Sequence, residues 1–208
     1  MRSKLKSEDR QAELVAAALD LAATQSPSEI TTGDLAKVIG ITQGAVFKHF
    51  DSKEGIWLAV VDWAHQVLML KLRQVAEGEN QTALQSLRAV FMAHISFVEQ
   101  YPGVPRLIFQ ELQHPKRTPL KDKVQLLMTD YRQLLMGLLA QAHKEGVIAP
   151  EVDMQAAEVL FIGAIQGLVM QSLMTGSLEK IKQQAKTVFS IYEAGLLVSA
   201  QPKVRKLK

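Results

Sequence analysis

The chain has 208 residues, 48% of them hydrophobic and 22% charged. That is enough for one generous domain or a small one joined to a larger one, and an ordinary apolar fraction with well-mixed charge excludes a disordered polymer. It has no cysteine, which excludes disulfide scaffolds, thiolate zinc sites, iron–sulfur clusters and cysteine nucleophiles together and fits a reducing compartment. A net charge of +3 permits nucleic-acid binding without demanding it, because the last six residues carry Lys203, Arg205, Lys206 and Lys208 and leave the rest slightly negative.

The first six residues are basic, but Ser7-Glu-Asp-Arg-Gln follows where the apolar core of a secretory signal should begin. The longest apolar run, Val159 to Met170, is interrupted at Gln166 and is shorter than the roughly 20 residues that span a bilayer. It reads as a buried helix, and the expected setting is the cytoplasm with no membrane partner.

Helix-period patterning runs almost end to end, and β-branched alternation is absent. Glycines and prolines divide the chain into nine predicted helices, an all-α protein. The first, about 8–24, carries Glu8 and Asp9 in its first turn after a Ser7 cap, as the helix dipole favours. Short helices follow at about 32–38 and 42–49, then a long one at 53–76 and a fifth at 80–100. The sixth runs from Arg106 to Gln113, the seventh over 119–145, the eighth over 152–175, and the ninth over about 177–199. Composition shifts near residue 50, from short punctuated helices to long apolar ones. The expected organisation is a domain over 1–52, a larger helical domain over 53–200 and a basic tail over 201–208.

The informative stretch is Ile30 to Glu54. Thr31 can cap a helix, with Asp34 three residues on in a capping-box position. Leu35, Ala36 and Ile39 give that helix an inward face. Gly40 then ends it, as a turn needing positive φ prefers. Ile41 can plug the core, and Thr42 can cap the next helix. Two short helices joined by a tight glycine turn form a helix-turn-helix.

In that arrangement the second helix lies in the major groove with its N-terminal residues against base edges. Here those are Thr42, Gln43, Gly44 and Ala45. Gln43 can bond an adenine edge bidentately, and Ala45 can meet a thymine methyl. Gly44 leaves room for close approach. Lys48 and His49 follow about one and a half turns on, within reach of phosphates, and Lys53 opens the next helix, where free N–H groups already favour an anion.

These residues resemble the DNA-binding region of the TetR family of transcriptional regulators. The resemblance covers about residues 10–64 and centres on Phe47-Lys-His-Phe-Asp-Ser-Lys-Glu54 directly after the helix pair. It implies a nine-helix fold and a homodimer on a palindromic operator in double-stranded DNA. The function it implies is a repressor released by a small-molecule effector. The DNA-binding set is then Thr31, Thr32, Thr42, Gln43, Gly44, Ala45, Phe47, Lys48, His49 and Lys53. One departure concerns position 47, commonly Tyr in the family, whose hydroxyl can bond a phosphate. Phe47 cannot, and is expected as a core and groove-wall residue.

The eighth and ninth helices are the expected dimer interface, through Ala164, Ile165, Leu168, Phe189, Tyr192 and Leu196, because the eighth is apolar nearly all round. The family layout also implies an apolar cavity in the larger domain, with Phe91, Ile95, Phe109, Met128, Tyr131, Phe161 and Met170 as its lining and an apolar or amphipathic ligand; the same residues at helical spacing would serve as ordinary core.

Arg2, Lys4 and Lys6 form either a basic arm toward DNA or a solvated tail. The five histidines are scattered without i,i+4 pairing, and phosphate loops and nucleophile elbows are absent, so neither a metal, a cofactor nor an enzyme activity is expected. Asp62 and His65 share a helix face and read as a surface pair. Two other functions fit the same residues. One is a chromosome-associated DNA-binding protein whose output is not transcription; the other is a helical dimer that binds ligands or partners without an operator.

Overall fold

The structure is a computed structural model that describes residues 7–78 and 80–197. Among these residues the fold is all-α. Its helices are α1 Ser7–Ala22, α2 Thr32–Ile39, α3 Gln43–Val46, α4 Lys53–Ala76, α5 Ala83–Gln100, α6 Gly103–Leu112, α7 Pro119–Lys144, α8 Met154–Thr175 and α9 Ile181–Leu196, with a 3-10 turn over Leu178–Lys180 before the last. The basic arm and the basic tail expected from the sequence lie outside the described residues.

Where the bounds differ from expectation, the caps explain it. α5 starts at Ala83 because Thr82 and Gln85 cap each other reciprocally, the Gln85 N–H donating to the Thr82 hydroxyl at 3.3 Å and the Thr82 N–H to Gln85 Oε1 at 2.9 Å. α6 starts three residues before Arg106, since Pro105 sits in its first turn, where a missing N–H costs no helical bond. α3 keeps α-helical form for four residues only, and the chain continues in tight turns with Lys48 N–H on Ala45 O and His49 N–H on Val46 O.

The described residues form two compact units, and neither ends at residue 52. One runs up to Lys71 and adds Ser96–Tyr131; the other joins Leu72–Ile95 to the chain from Arg132 onward. In the first unit, α1 packs on α2 and on α6. The approach of α6 is close enough that a Cβ on Gly103 would lie 2.5 Å from the Leu19 carbonyl oxygen and 2.9 Å from Ala22 Cβ. Leu14, Ile30, Leu35, Val46 and Ile56 are fully buried here. Trp63, Phe97 and Tyr101 add an aromatic group, with Trp63 and Tyr101 edge to face at 4.8 Å. The expected Asp62–His65 pair is not made. Asp62 accepts from Lys123 at 2.6 Å and His65 meets Asp130 at 2.9 Å, because both α4 residues face α7.

In the second unit α8 packs on α9. Phe91, Phe161, Phe189 and Tyr192 form a continuous ring cluster with centroid separations of 5.2 to 5.6 Å, and the Tyr192 hydroxyl donates to the Ala157 carbonyl at 3.1 Å. Asp153 caps α8 and Gly176, at φ 67°, ends it. α8 is longer than the uninterrupted apolar run suggests. Its 22 residues are long and apolar enough to cross a membrane by length and composition, yet it buries one face within its own unit.

The Gly103 contact gives a direct test. Gly103→Ala places a methyl against backbone that cannot yield as a side chain would, and overpacking of this kind costs about 1–3 kcal/mol. Urea unfolding of the variant should show a lower midpoint with an unchanged m-value; an unchanged midpoint would mean that α6 does not approach α1 this closely.

Candidate nucleic-acid interface

The helix pair is set by local chemistry at each end. Thr31 caps α2 with the capping box complete. Its hydroxyl accepts from the Asp34 N–H at 3.1 Å, while Asp34 Oδ2 accepts from the Thr31 N–H at 2.8 Å and from the Thr31 hydroxyl at 2.6 Å. These bonds hold the Asp34 carboxyl below its usual value. Gly40 closes α2 in the left-handed region at φ 69°, and the Ile41 N–H returns to the Ala36 carbonyl at 2.9 Å. Thr42 then caps α3 by accepting from the Ala45 N–H at 3.3 Å. Ile41 does not plug the core as expected; it is half-buried, and Val46, on the inner face of α3, is fully buried instead.

The outer side of α3 is where the expected base-reading residues stand. Thr42, Gln43 and Gly44 are exposed and Ala45 is half-buried. A Cβ on Gly44 would meet nothing within 4 Å, so the space beside it opens away from the protein. Gln43 is not free to swing, because its Nε2 donates to the Thr32 hydroxyl at 2.9 Å. Thr32 itself is 8% exposed. It is expected among the contact residues; in the structure its side chain faces inward and its hydroxyl accepts from the Gln43 amide. Nothing in the sequence distinguishes Thr31 from Thr32 in this respect; only the start of α2 fixes which one turns inward.

Phe47 is the second correction. Its side chain is 49% exposed, so it is not a core residue; it follows α3 as the C-cap and stands at the surface beside Lys48. Lys48 is exposed. His49 faces α1, its Nδ1 3.1 Å from the Ser7 hydroxyl and its carbonyl accepting from Gln11 Nε2 at 2.8 Å. It therefore ties the end of the recognition segment to the first turns of α1, a tie that sequence spacing could not reveal across some 40 positions.

Lys53 opens α4, whose first turn Ser52 caps by accepting from the Gly55 N–H at 3.0 Å. The Lys53 ammonium donates to the Ser28 carbonyl at 2.8 Å. Partial burial lowers its pKa, and the nearby Asp34 opposes that shift. The same segment is held from α6, since Gln110 Oε1 accepts from the Ser28 N–H at 3.2 Å and the Ser26 hydroxyl at 3.3 Å. Lys53 thus anchors the α1–α2 connection while standing at a helix N-terminus.

The expected dimer residues lie on α8 and α9 and face mostly inward. Ile165, Leu168, Phe189, Tyr192 and Leu196 are buried within their own unit, and Ala164 is half-buried. The exposed apolar side chains of these helices are instead Val159, Leu160, Met170, Met174 and Ile191. Between α8 and α9 they leave an apolar groove of about 330 Å³, lined by Leu160, Ala164, Val188, Ile191 and Gly195 over Tyr192 and Leu196. The expected ligand-lining residues divide between the units: Phe109, Met128 and Tyr131 in the first, Phe91, Ile95, Phe161 and Met170 in the second. Met170 is corrected, since at 40% exposure it stands on the outer face of α8; Phe91, Ile95, Tyr131 and Phe161 are buried and Phe109 and Met128 half-buried.

Comparison with known proteins matches this arrangement to one family. Residues 14–60 match the model of bacterial regulatory proteins of the tetR family, and residues 83–188 match the model of the tetracyclin repressor-like C-terminal domain. Nucleoid occlusion factor SlmA of Vibrio campbellii is 29% identical over 205 residues, which span 98% of this chain and all of that protein. Among solved structures, the transcriptional regulator FadR of Bacillus subtilis in complex with stearoyl-CoA superposes with a TM-score of 0.77 at 19% identity, over 89% of this chain and 98% of its own. The ketosteroid transcriptional regulator KstR2 of Mycobacterium tuberculosis gives 0.76 at 21% identity, over 91% and 95%. At these identities the structures share the fold.

The open space at Gly44 separates folding from recognition. Gly44→Ala should leave the free protein as stable or more so by about 0.5–1 kcal/mol, since alanine favours helix. A methyl forced into a close DNA contact should weaken duplex binding by about 1–3 kcal/mol. Thermal unfolding and fluorescence anisotropy on a bound duplex read the two effects; unchanged DNA affinity would place the DNA elsewhere.

Proposed function

The chain belongs to the TetR family of bacterial regulatory proteins, and from that membership we propose that it works in the cytoplasm as a homodimeric repressor. It would bind a palindromic operator and be released by a small apolar or amphipathic ligand. The observation that carries the reading is the run Thr42-Gln43-Gly44-Ala45 at the start of α3, capped, exposed over its first three residues and backed by Val46. In the proposed complex Gln43 and Ala45 read base edges, while Lys48, the first turn of α2 at Thr31 and the N-terminus of α4 at Lys53 position the phosphate backbone. His49 supports this face from α1. The functional division is a DNA-reading part up to residue 52, a ligand and dimerisation part over 53–200, and the basic tail over 201–208.

Dimerisation uses the outer faces of α8 and α9, with Leu160, Ala164, Val188 and Ile191 meeting their copies. A single chain that leaves Val159 at 62%, Ile191 at 71% and Met174 at 79% exposure presents the kind of apolar patch that partners cover. Two recognition helices would then sit about 34–36 Å apart, one turn of DNA. Ligand and operator oppose each other through reciprocal coupling: whatever ligand binding does to operator affinity, operator binding does to ligand affinity. The ligand class is supported by the apolar character of Phe91, Ile95, Phe109, Met128, Tyr131 and Phe161, and by a fold relative that holds stearoyl-CoA, an amphipathic molecule.

A second reading is favoured by a specific observation: a relative matching over the whole chain is described as a nucleoid occlusion factor. In that reading the same DNA-binding unit serves a chromosome-associated role. The two readings differ in where the sites lie. Chromatin immunoprecipitation should give one or a few promoter sites for a repressor, and many sites spread over the chromosome for the other.

Selection from a random duplex pool at about 150 mM salt should enrich a palindrome with half-sites about 10 bp apart. On the enriched site, Gln43→Ala should cost about 1–3 kcal/mol and relax one base position. Lys48→Ala should weaken all sequences alike and reduce the salt slope by about one. No enrichment, or a base-specific effect of Lys48→Ala, would overturn the role assignment.

The dimer face is tested separately. Ile191→Asp puts a charge on the exposed stripe of α9 and should drop the sedimenting mass from twice the chain mass to 23.0 kDa. A variant that stays dimeric would move the interface off this face.

A further inference from the structure

In the first unit, away from α3, one face of α1 faces a groove of about 330 Å³. Its floor is Val15 and Leu19, both nearly buried, and the small side chains of Ala12 and Ala16 keep it open. Trp63 of α4 and Tyr101, just after α5, form the facing wall, with their rings 4.8 Å apart and at 83° to one another. One charged residue lines the groove. Asp20 is exposed, and among the described residues its carboxylate makes no hydrogen bond or ion pair.

Three electrostatic features at this place have the same sign. The Asp20 carboxylate is an uncompensated anion. It stands in the last turn of α1, at the negative end of the helix dipole, and no basic side chain occupies that turn. Trp63 and Tyr101 line the groove, and aromatic rings of this kind attract cations over their faces. An apolar neutral ligand would fill the floor but leave Asp20 unanswered. A metal ion would find one carboxylate and no further hard ligand.

An ammonium clothed in alkyl groups satisfies all three features at once: its charge meets Asp20 and the helix end, and its methyl groups meet the rings and the aliphatic floor. We propose that the α1–Trp63–Tyr101 groove is a binding site for a small organic cation of the alkylammonium class. The site is independent of the operator and of the ligand proposed above, and it stands whether or not those readings hold.

The test uses the full-length protein with choline as probe and 3,3-dimethylbutan-1-ol, which has the same shape without the charge, as the control. Ligand-observed NMR should show saturable binding of choline, with its methyl protons shifted upfield by the ring currents of Trp63 and Tyr101. The neutral alcohol should bind at least tenfold more weakly. Asp20→Asn, at an exposed position that holds no structural bond, should weaken choline at least fivefold while leaving the melting temperature unchanged. Trp63→Leu should reduce the upfield shift, leaving the part due to Tyr101. Absence of saturable binding, equal binding of the neutral alcohol, or an Asp20→Asn affinity equal to wild type would each overturn the proposal.

Discussion

Gly103 brings the start of α6 against the last turns of α1 at a distance that a Cβ would not permit, and the geometry of the DNA-reading helices rests on that contact. α1 is the common support. At its beginning Ser7 and Gln11 hold His49, the end of the recognition segment. At its end Leu19 and Ala22 receive α6. α6 in turn sends Gln110 back to Ser26 and Ser28, the connection that Lys53 holds from the other side. A helix pair of only eight and four residues is too short to be stable in isolation; here it is clamped by elements that lie as much as 80 residues later in the chain. The compact unit accordingly extends well beyond residue 52.

The interface itself divides between groups that hold shape and groups that face outward. Thr31, Asp34, Gly40, Thr42 and Ser52 satisfy free backbone groups at four helix ends, both ends of α2 and the starts of α3 and α4. Thr32 and His49 add cross-links between elements. Along α3 and just after it, Gln43, Gly44, Phe47 and Lys48 face outward, with Gln43 tied back to Thr32. Ordering most of the motif in advance leaves less conformational entropy to be lost when a ligand of any kind is engaged.

The helix-turn-helix was legible because its signals are local. A threonine with an acid three residues on, a glycine at the turn and a second threonine cap each act within one helical turn, and each appears in the structure as read. The face of α8 was not legible, because a helix that is apolar nearly all round has no periodicity to say which side meets its own unit; packing against α9 decides it, and Ile165 and Leu168 turn inward while Leu160 and Met170 turn out. Phe47 misled for a related reason. Phe47, without the hydroxyl that a phosphate contact would use, is expected in the core and groove wall, yet the chain leaves the α-helical form after Val46 and turns that ring to the surface. A composition shift near residue 50 marks where helices lengthen and carries no information on long-range contacts such as that of Gly103, which belong to the compact unit that takes in Ser96–Tyr131.

The bond between Gln43 and Thr32 bears on how sharply this surface can discriminate. An amide buried against a mismatched base ordinarily loses its partners altogether, and that loss is what makes the wrong sequence costly. Here the amide has a place to return to: when the base opposite offers nothing, Nε2 keeps its acceptor on Thr32. In the proposed complex one N–H of that amide can stay on Thr32 while the second N–H and the carbonyl oxygen face the base, so part of its hydrogen bonding survives a mismatch. The binding sites of this protein would accordingly tolerate variation at the Gln43 position more readily than a freely hanging glutamine would allow, and a degenerate letter in the recognition sequence would be a property of the fold.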